Sequence, residues 1–435
     1  MLDVGEYIGV DEIASLLKKL IQIPSVEKNE TLVSEKIIDV LEKEGIESYE
    51  LIESGEGRGN LIVTLKGKRG GGYNLMVIGH LDVVPVESKW SVDPFGGIER
   101  NGYIYGRGAI DDKGQVAAMT YLAVFLHRIN YDFSGTVKLF MVADEETQNP
   151  KHGMRFLIKE RPDLFKNIHG AIGELGGMIE FGGKKRQVII FGEKGAVTLR
   201  ITSLGERGHA SQTYRVNNSI KNVAEAILRI PDAKFFISRP IRVMLKNMLG
   251  IKSLFIMNRI LNKFTLRMIK DIMLARMLHA MTHITIAKTV VHGGKAENVY
   301  PEEAKLTLDI RYFPEQNNLH EIINLIKKSL PKHRYKIEKV SQIPSTYSST
   351  NTKLYRTIEK TVRDMGYEPF SIIQMGSSDS AWVRQLGIPT YHFMTTTRPM
   401  DVETIHGTDE RIWKKDLITI VEGYWRLIQN LGLGQ

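Results

Sequence analysis

Between Val10 and Phe191 the chain switches repeatedly between two hydrophobic periods, and that alternation constrains the fold more than any other feature. Apolar residues recur at helical spacing over Val10–Leu20, Leu32–Glu44 and Gln115–Arg128, with a further helix starting at Met154–Lys159. Short apolar runs at Asn60–Leu65, Asn74–Ile78, Thr136–Ala143, Ala171–Gly173 and Val188–Phe191 fall between them. Helices and strands in alternation predict an α/β lobe with helices covering a mixed, mostly parallel sheet.

The order of elements changes near Gly192. Ala196–Ser203, Ser219–Arg229, Ile284–His292, Ala304–Tyr312, Leu319–Leu330 and Tyr335–Val340 read strand, helix, strand, strand, helix, strand. That is the split βαβ, or ferredoxin-like, arrangement. After about Ser341 the first pattern resumes, with a helix at Lys353–Met365, a strand at Pro389–Phe393 and a last helix at Lys415–Leu431. The expectation is one discontinuous domain, 1–192 and 341–435, interrupted by a smaller α+β domain, 193–340.

Composition narrows the chemistry. At 42% hydrophobic and 25% charged, the 435 residues suit a packed globular protein and exclude a disordered or collagen-like chain. There is no cysteine, so any metal must be held by His, Asp or Glu, and no thiol nucleophile exists. The net charge of +9 invites a nucleic-acid reading. Nine basic residues and one acid lie between Phe235 and Ala280, however, leaving the rest of the chain close to neutral. No nucleic-acid partner is expected. The stretch MLDVGEYIGVDEIASLLKKL has early acids and no apolar core of a signal peptide, and no run of about 18 apolar residues occurs. A cytoplasmic enzyme is the default expectation.

Chemistry concentrates where apolar runs end. In MVIGHLDVVP, Met76–Pro85, a buried strand leads directly into His80 and Asp82. Ligand sites in open α/β sheets form beyond such strand ends. Two apart on a strand, the pair shares one side. Either His80 ligates a metal while Asp82 orients its other ring nitrogen, or the two are a surface histidine beside a turn aspartate. In YGRGAIDDKG, Gly106 and Gly108 lack the third glycine and preceding strand of a dinucleotide loop. Asp111 and Asp112 there read as helix caps or as metal carboxylates. FMVADEETQ ends a strand in Asp144, Glu145 and Glu146, like charges that a cation would relieve. Glu174 in AIGELGG and His406 in TIHGTDERI complete a set of two imidazoles and three carboxylates suited to a pair of zinc-like ions.

With these motifs in that order, nearly the whole chain resembles the co-catalytic zinc peptidase family that includes glutamate carboxypeptidase, aminoacylase, acetylornithine deacetylase and succinyl-diaminopimelate desuccinylase. The resemblance implies that His80 ligates one zinc and His406 the other, that Asp111 bridges them, and that Glu174 completes the His80 site and Glu146 the His406 site. It implies Asp82 as the residue orienting His80, Glu145 as general base, and a cis peptide between Asp111 and Asp112. GERGHASQ matches the family's lid motif, with His209 binding the developing oxyanion, usually across a dimer interface. Asn298 in GGKAENVYP, Arg311 in LDIRYFP and Gly376 in MGSSDSAWV match positions that contact a substrate carboxylate. A core histidine and a structural ion pair are the plainer readings of His209 and Arg311.

The implied activity is hydrolysis of an amide next to a free carboxylate, on a small peptide or an N-acyl amino acid, by a homodimer carrying two divalent ions. Zn2+ is the first choice, with Co2+ or Mn2+ as substitutes. Glu rather than Asp at position 174 favours a carboxypeptidase or acylase over an aminopeptidase or dipeptidase of the same family. A non-catalytic membrane- or nucleic-acid-binding protein on this scaffold is the alternative from another class.

The basic segment 235–280 is an insertion within the smaller domain. Met257, Ile260, Leu261, Phe264, Met268, Ile272 and Met273 recur at helical spacing, and Arg259, Lys263, Arg267 and Lys270 form a stripe. Two readings stand: an apolar face packed on the lid or a second subunit, or a cover or membrane-surface patch for long-chain N-acyl substrates.

Overall fold

The computed structural model describes residues 2–432 apart from 88, 148–149, 182, 237, 239, 243, 245–271, 315–317 and 331–334. The chain divides into two compact units. The first comprises Met1–Phe191, Ser348–Ile372 and Ser378–Gln435; the second comprises Gly192–Tyr347 and Ile373–Ser377. The smaller unit thus runs past Ser341, because its last long strand continues to Ile343 and Thr346–Tyr347 pairs with Gly192–Glu193. It also recovers a short loop from the C-terminal segment.

In the first unit one sheet places strands Tyr49–Glu53, Gly59–Lys66, Ser134–Val142, Arg69–His80, Gly170–Gly173 and Thr390–His392 side by side in that order. Its centre is parallel: Arg69–His80 pairs in parallel with both Ser134–Val142 and Gly170–Gly173, and Gly170–Gly173 with Thr390–His392. Antiparallel pairs flank it. The core strands read as unbroken apolar runs because both faces are covered. On one side Met76, Ile78, Phe140 and Val142 pack with Met154, Leu157 and Phe165. The other side carries helix Lys113–Arg128, buried from Lys113 to Leu126, which packs on helices Val10–Ile21 and Asp416–Asn430. Truncating a core side chain here, such as Phe125 to Ala, would cost about 3–5 kcal/mol.

Register fixes the site. His80 pairs with Val142, and Val77 with Ile172, so three parallel strands finish at one edge. His80, the acids after Val142 and Glu174 after Gly173 all leave from that edge. Gly79 lets the next turn come close: a Cβ there would lie 2.6 Å from Asp112 Oδ2.

The second unit has an antiparallel sheet in the order Ala233–Phe235, His283–Gly293, Glu303–Tyr312, Gly195–Leu204, Tyr335–Ile343. Ala304, Leu306, Leu308, Ile310 and Tyr312 alternate inward along one strand. Helix Ser219–Arg229 packs on this sheet and is capped by Asn218, whose side chain accepts from Ile220 N at 2.9 Å. Helix Asn318–Ser329 completes the two-helix, four-long-strand pattern. Of the basic insertion, helix Ile272–Thr282 leads directly into His283–Gly293. Met257, Ile260, Leu261, Phe264, Met268 and the stripe Arg259, Lys263, Arg267, Lys270 lie outside the described residues. Among the described residues no helix is long and apolar enough to cross a membrane.

Candidate metal centre

Asp111 stands between two imidazoles. Its Oδ1 is 3.0 Å from His80 Nε2, and its Oδ2 is 3.3 Å from His406 Nε2. Each imidazole has a second carboxylate: Glu174 Oε2 lies 3.3 Å from His80 Nε2, and Glu146 Oε1 lies 3.1 Å from His406 Nε2. The structure therefore brings together all five residues that the sequence nominated as metal ligands. The Asp111–Asp112 peptide is cis.

Asp82 ties the strand end to the acidic loop. Its backbone oxygen is 3.0 Å from His80 Nδ1 and its Oδ1 3.5 Å away. Its two carboxylate oxygens accept the backbone N–H groups of Glu145 and Glu146, each at 3.0 Å. The His80 ring is thus oriented through its other nitrogen, and one residue sets both acids. Gln115 joins the neighbouring strand end, donating to Ile78 O at 2.9 Å and accepting from Leu175 N at 3.2 Å.

Two further acids flank the five. Asp112 takes the N-cap position of helix Lys113–Arg128, but its side chain makes no cap hydrogen bond. It is fully buried, its Oδ2 accepts His80 N at 3.2 Å, and its Oδ1 has no hydrogen-bond partner among the described residues. Asp112, His80 and Glu174 also offer atoms within 4.8 Å of one another, as do His80, Asp111 and Glu146. Asp144 turns away from the group. It accepts from Arg58 Nη2 at 2.5 Å, Thr147 Oγ1 at 2.9 Å and two backbone N–H groups, leaving Glu145 and Glu146 as the acids at the site.

The electrostatics fit a cation site. Burial, then the charge of Glu174, pushes Glu145 well above the usual carboxylate range. Burial, with Asp111 and Asp112 nearby, does the same to Glu174. Burial and Asp111 raise Glu146. Burial opposes the charge on Asp111, yet hydrogen bonds from His406 and His80 hold it below the ordinary range. Burial would lower His80, but Glu174, Asp111 and Asp82 together raise it. Hydrogen bonds to Asp111 and Glu146 lift His406 to about 10. In effect, protons hold a crowd of buried carboxylates together. Divalent cations displace such protons, and the donors are the N and O types that zinc-like ions take. A cavity of about 290 Å³ adjoins His406, lined by Val84, Pro85, Glu87, Arg107 and Gly407.

The remaining nominated residues belong to the second unit. His209 is exposed on the short strand Gly208–His209, which pairs with Val299–Tyr300, and its Nδ1 is 2.8 Å from Ser211 Oγ. It is not a core histidine. Asn298 is next door, exposed, and its backbone oxygen accepts Ala210 N at 2.9 Å. Arg311 makes the ion pair that was its plainer reading: Nε and Nη2 reach the two oxygens of Asp309 at 2.8 and 3.1 Å. The loop of Gly376 is held at the start of strand Gly195–Leu204, where Lys194 N donates to Gln374 O at 3.0 Å and Ser377 Oγ to Lys194 O at 2.8 Å. Arg311 pairs in register with Ala196, two residues on. Sequence reasoning passed over Arg58, Gln115, Arg107 and Glu410. The last two sit inside YGRGAIDDKG and TIHGTDERI, which was the available signal.

The family model described as Peptidase family M20/M25/M40 matches residues 76–430. Among curated relatives, N-fatty-acyl-amino acid synthase/hydrolase PM20D1 of Xenopus tropicalis is 28% identical over 83% of this chain and 74% of its own length. Succinyl-diaminopimelate desuccinylase of Wolinella succinogenes is 27% identical over 92% of this chain and 94% of its own. An M20 family metallo-carboxypeptidase from Sulfolobus solfataricus has the same fold, with a TM-score of 0.73 at 20% identity, covering 97% of this chain and 99% of that one.

Proposed function

The chain belongs to peptidase family M20/M25/M40 and is a hydrolase of that family, and from that premise we propose that it cleaves an amide bond next to a free carboxylate, with N-acyl amino acids as its substrate class. The observation that carries this reading is Asp111, with one oxygen toward His80 and the other toward His406. In the proposal His80, Glu174 and Asp111 would hold one divalent ion, and His406, Glu146 and Asp111 the other. The chemistry that a zinc ion held there would supply is polarisation of the scissile carbonyl and a water pKa lowered toward ~7.

The chain's own residues do the rest. Glu145 takes the proton of the attacking water and passes it to the leaving amine. Asp82 keeps the His80 ring and the Glu145 backbone in fixed relation. His209 donates to the developing oxyanion. Arg311, Asn298 and the Gly376 loop hold the substrate carboxylate. Asp309 pre-sets the Arg311 guanidinium for that task, since a fork already fixed on one edge loses little freedom when it binds. A homodimer through the second unit is part of the proposal. Ile220, Leu228, Val290 and Val291, all exposed there, supply apolar surface for it.

The naming of PM20D1 as an N-fatty-acyl-amino acid hydrolase supports the acyl side of this reading, and the methionine-rich insertion supports a long acyl chain. The test is zinc-dependent turnover on N-acyl amino acids from acetyl to long-chain, beside blocked dipeptides with a free C-terminus. The proposal expects hydrolysis of the acyl series, improving with chain length. Preference for blocked dipeptides would move the assignment to a carboxypeptidase. Replacing 245–271 by a short Gly/Ser linker should depress long-chain turnover selectively; an equal loss on short and long chains would remove the insertion from substrate choice.

A further inference from the structure

Behind Asp111 lies a buried ion pair that the proposed reaction does not use. Arg107 and Glu410 are 2% and 1% exposed. The Glu410 carboxylate accepts four hydrogen bonds. Its Oε2 takes Arg107 Nη1 at 2.7 Å and Gly108 N at 3.1 Å; its Oε1 takes Ile110 N at 2.9 Å and Asp111 N at 3.1 Å. Arg107 turns its other terminal nitrogen to Gly407 O at 2.9 Å, one residue beyond His406. The Arg107 guanidinium also lies over the Trp90 ring, 5.2 Å from its centroid.

The pair therefore holds two backbones at once: the turn that presents Asp111 and the loop that presents His406. The same two segments are zipped alongside, where Gly106 N donates to Glu410 O at 2.9 Å and Arg411 pairs with Tyr105. The His406 loop needs such anchoring. His406 sits at φ 58, a left-handed conformation unfavourable for a residue with a Cβ, and its side chain is about half exposed. Buried ion pairs often add no stability over well-packed apolar residues, whereas this one bonds the backbone on both sides of the site.

We infer that Arg107 and Glu410 are positioning residues that set Asp111 and His406 at the separation two metal ions require. This rests on the metal-centre reading above. Arg107→Lys keeps a charge opposite Glu410, but a single ammonium does not reproduce the fork that spans Glu410 and Gly407 O. Glu410→Gln keeps the shape and loses acceptor capacity toward the Asp111 turn.

The experiment strips the full-length chain and both variants with a chelator. It then titrates zinc against a chromophoric competitor and records melting temperatures of the metal-free proteins. Weakened orientation of a ligand typically costs 10–100-fold in metal affinity. Arg107→Lys should weaken one of two zinc equivalents by that factor, with a metal-free melting temperature within a few degrees of the parent. Glu410→Gln should weaken both, because Asp111 serves both. If Glu410→Gln does not fold, Arg107→Lys carries the test. Folded Arg107→Lys that binds two equivalents with parental affinity overturns the inference, whatever its melting temperature. A parent that binds no zinc refutes the metal-centre reading instead, and the two failures are thereby told apart.

Discussion

The two histidines His80 and His209 show how differently the two units prepare their residues. His80 is 1% exposed and held on both ring nitrogens, with its carboxylate neighbours fixed by a parallel sheet and a buried helix. His209 is exposed on a two-residue strand, steadied by Ser211. The first unit has built its site into the core, so changing that site disturbs packing and charge together. The second presents its residues on a surface, where a side chain can be removed at little structural cost and any loss of activity reports on chemistry.

That contrast can be broken by substitution. Glu145→Gln has the largest expected effect: a fall in turnover of about 10²–10⁴-fold with two zinc ions still bound. Turnover near the parental rate would remove Glu145 as the base. His209→Ala should fall by about 10²–10³-fold in kcat, while its stability stays within about 0.5 kcal/mol of the parent, as for other exposed sites. If stability collapses as well, His209 belongs with the buried class and the comparison fails. Arg311→Ala should raise KM by about 10–100-fold for free-acid substrates, the worth of a charge-assisted pair, and leave C-terminally amidated analogues unchanged. An equal rise on both would mean that the Asp309 ion pair is the whole of its role.

The smallest effect sharpens the picture of the first unit. Glu30 is fully buried, 3.0 Å from Arg58, and burial, then the charge of Asp82, pushes it up to about 7. A raised folded-state pKa means that the protonated form stabilises: its contribution is complete below about pH 4.5 and is lost as pH rises through 7. The melting temperature of Glu30→Gln relative to the parent should therefore climb by a few degrees between pH 5 and pH 8. A difference that is flat with pH would show that Glu30 stays charged throughout.

What the sequence made legible follows the range of the interactions. Strand ends within two residues of His80, Val142 and Gly173 were readable because hydrophobic period is local, and the grouping of His80, Asp111, Glu146, Glu174 and His406 because the motifs that carry them are short. Unit boundaries near 341–347 were less so, since the pairing of Thr346–Tyr347 with Gly192–Glu193 joins residues far apart in the chain. Asp112 was ambiguous for a different reason. Cap and ligand both call for an aspartate before a helix, and only the direction of the side chain, which bonds His80 N and no helix N–H, tells them apart. Glu410 and Arg107 lie 303 positions apart, so no local pattern pairs them. Asp309 and Arg311 share a strand face two residues apart, so the spacing allowed the ion pair that was one of the two readings of Arg311.

The central claim is a pair of ions shared through Asp111. Crystals of the chain grown with zinc, measured on both sides of the zinc absorption edge, test it most directly. The account predicts two anomalous peaks roughly 3.5–4 Å apart, one against His80 and Glu174, one against His406 and Glu146, and both against Asp111. Two ions lying more than ~4 Å from these side chains, beyond any bonding distance, or a single ion that leaves Asp111 untouched, would contradict it.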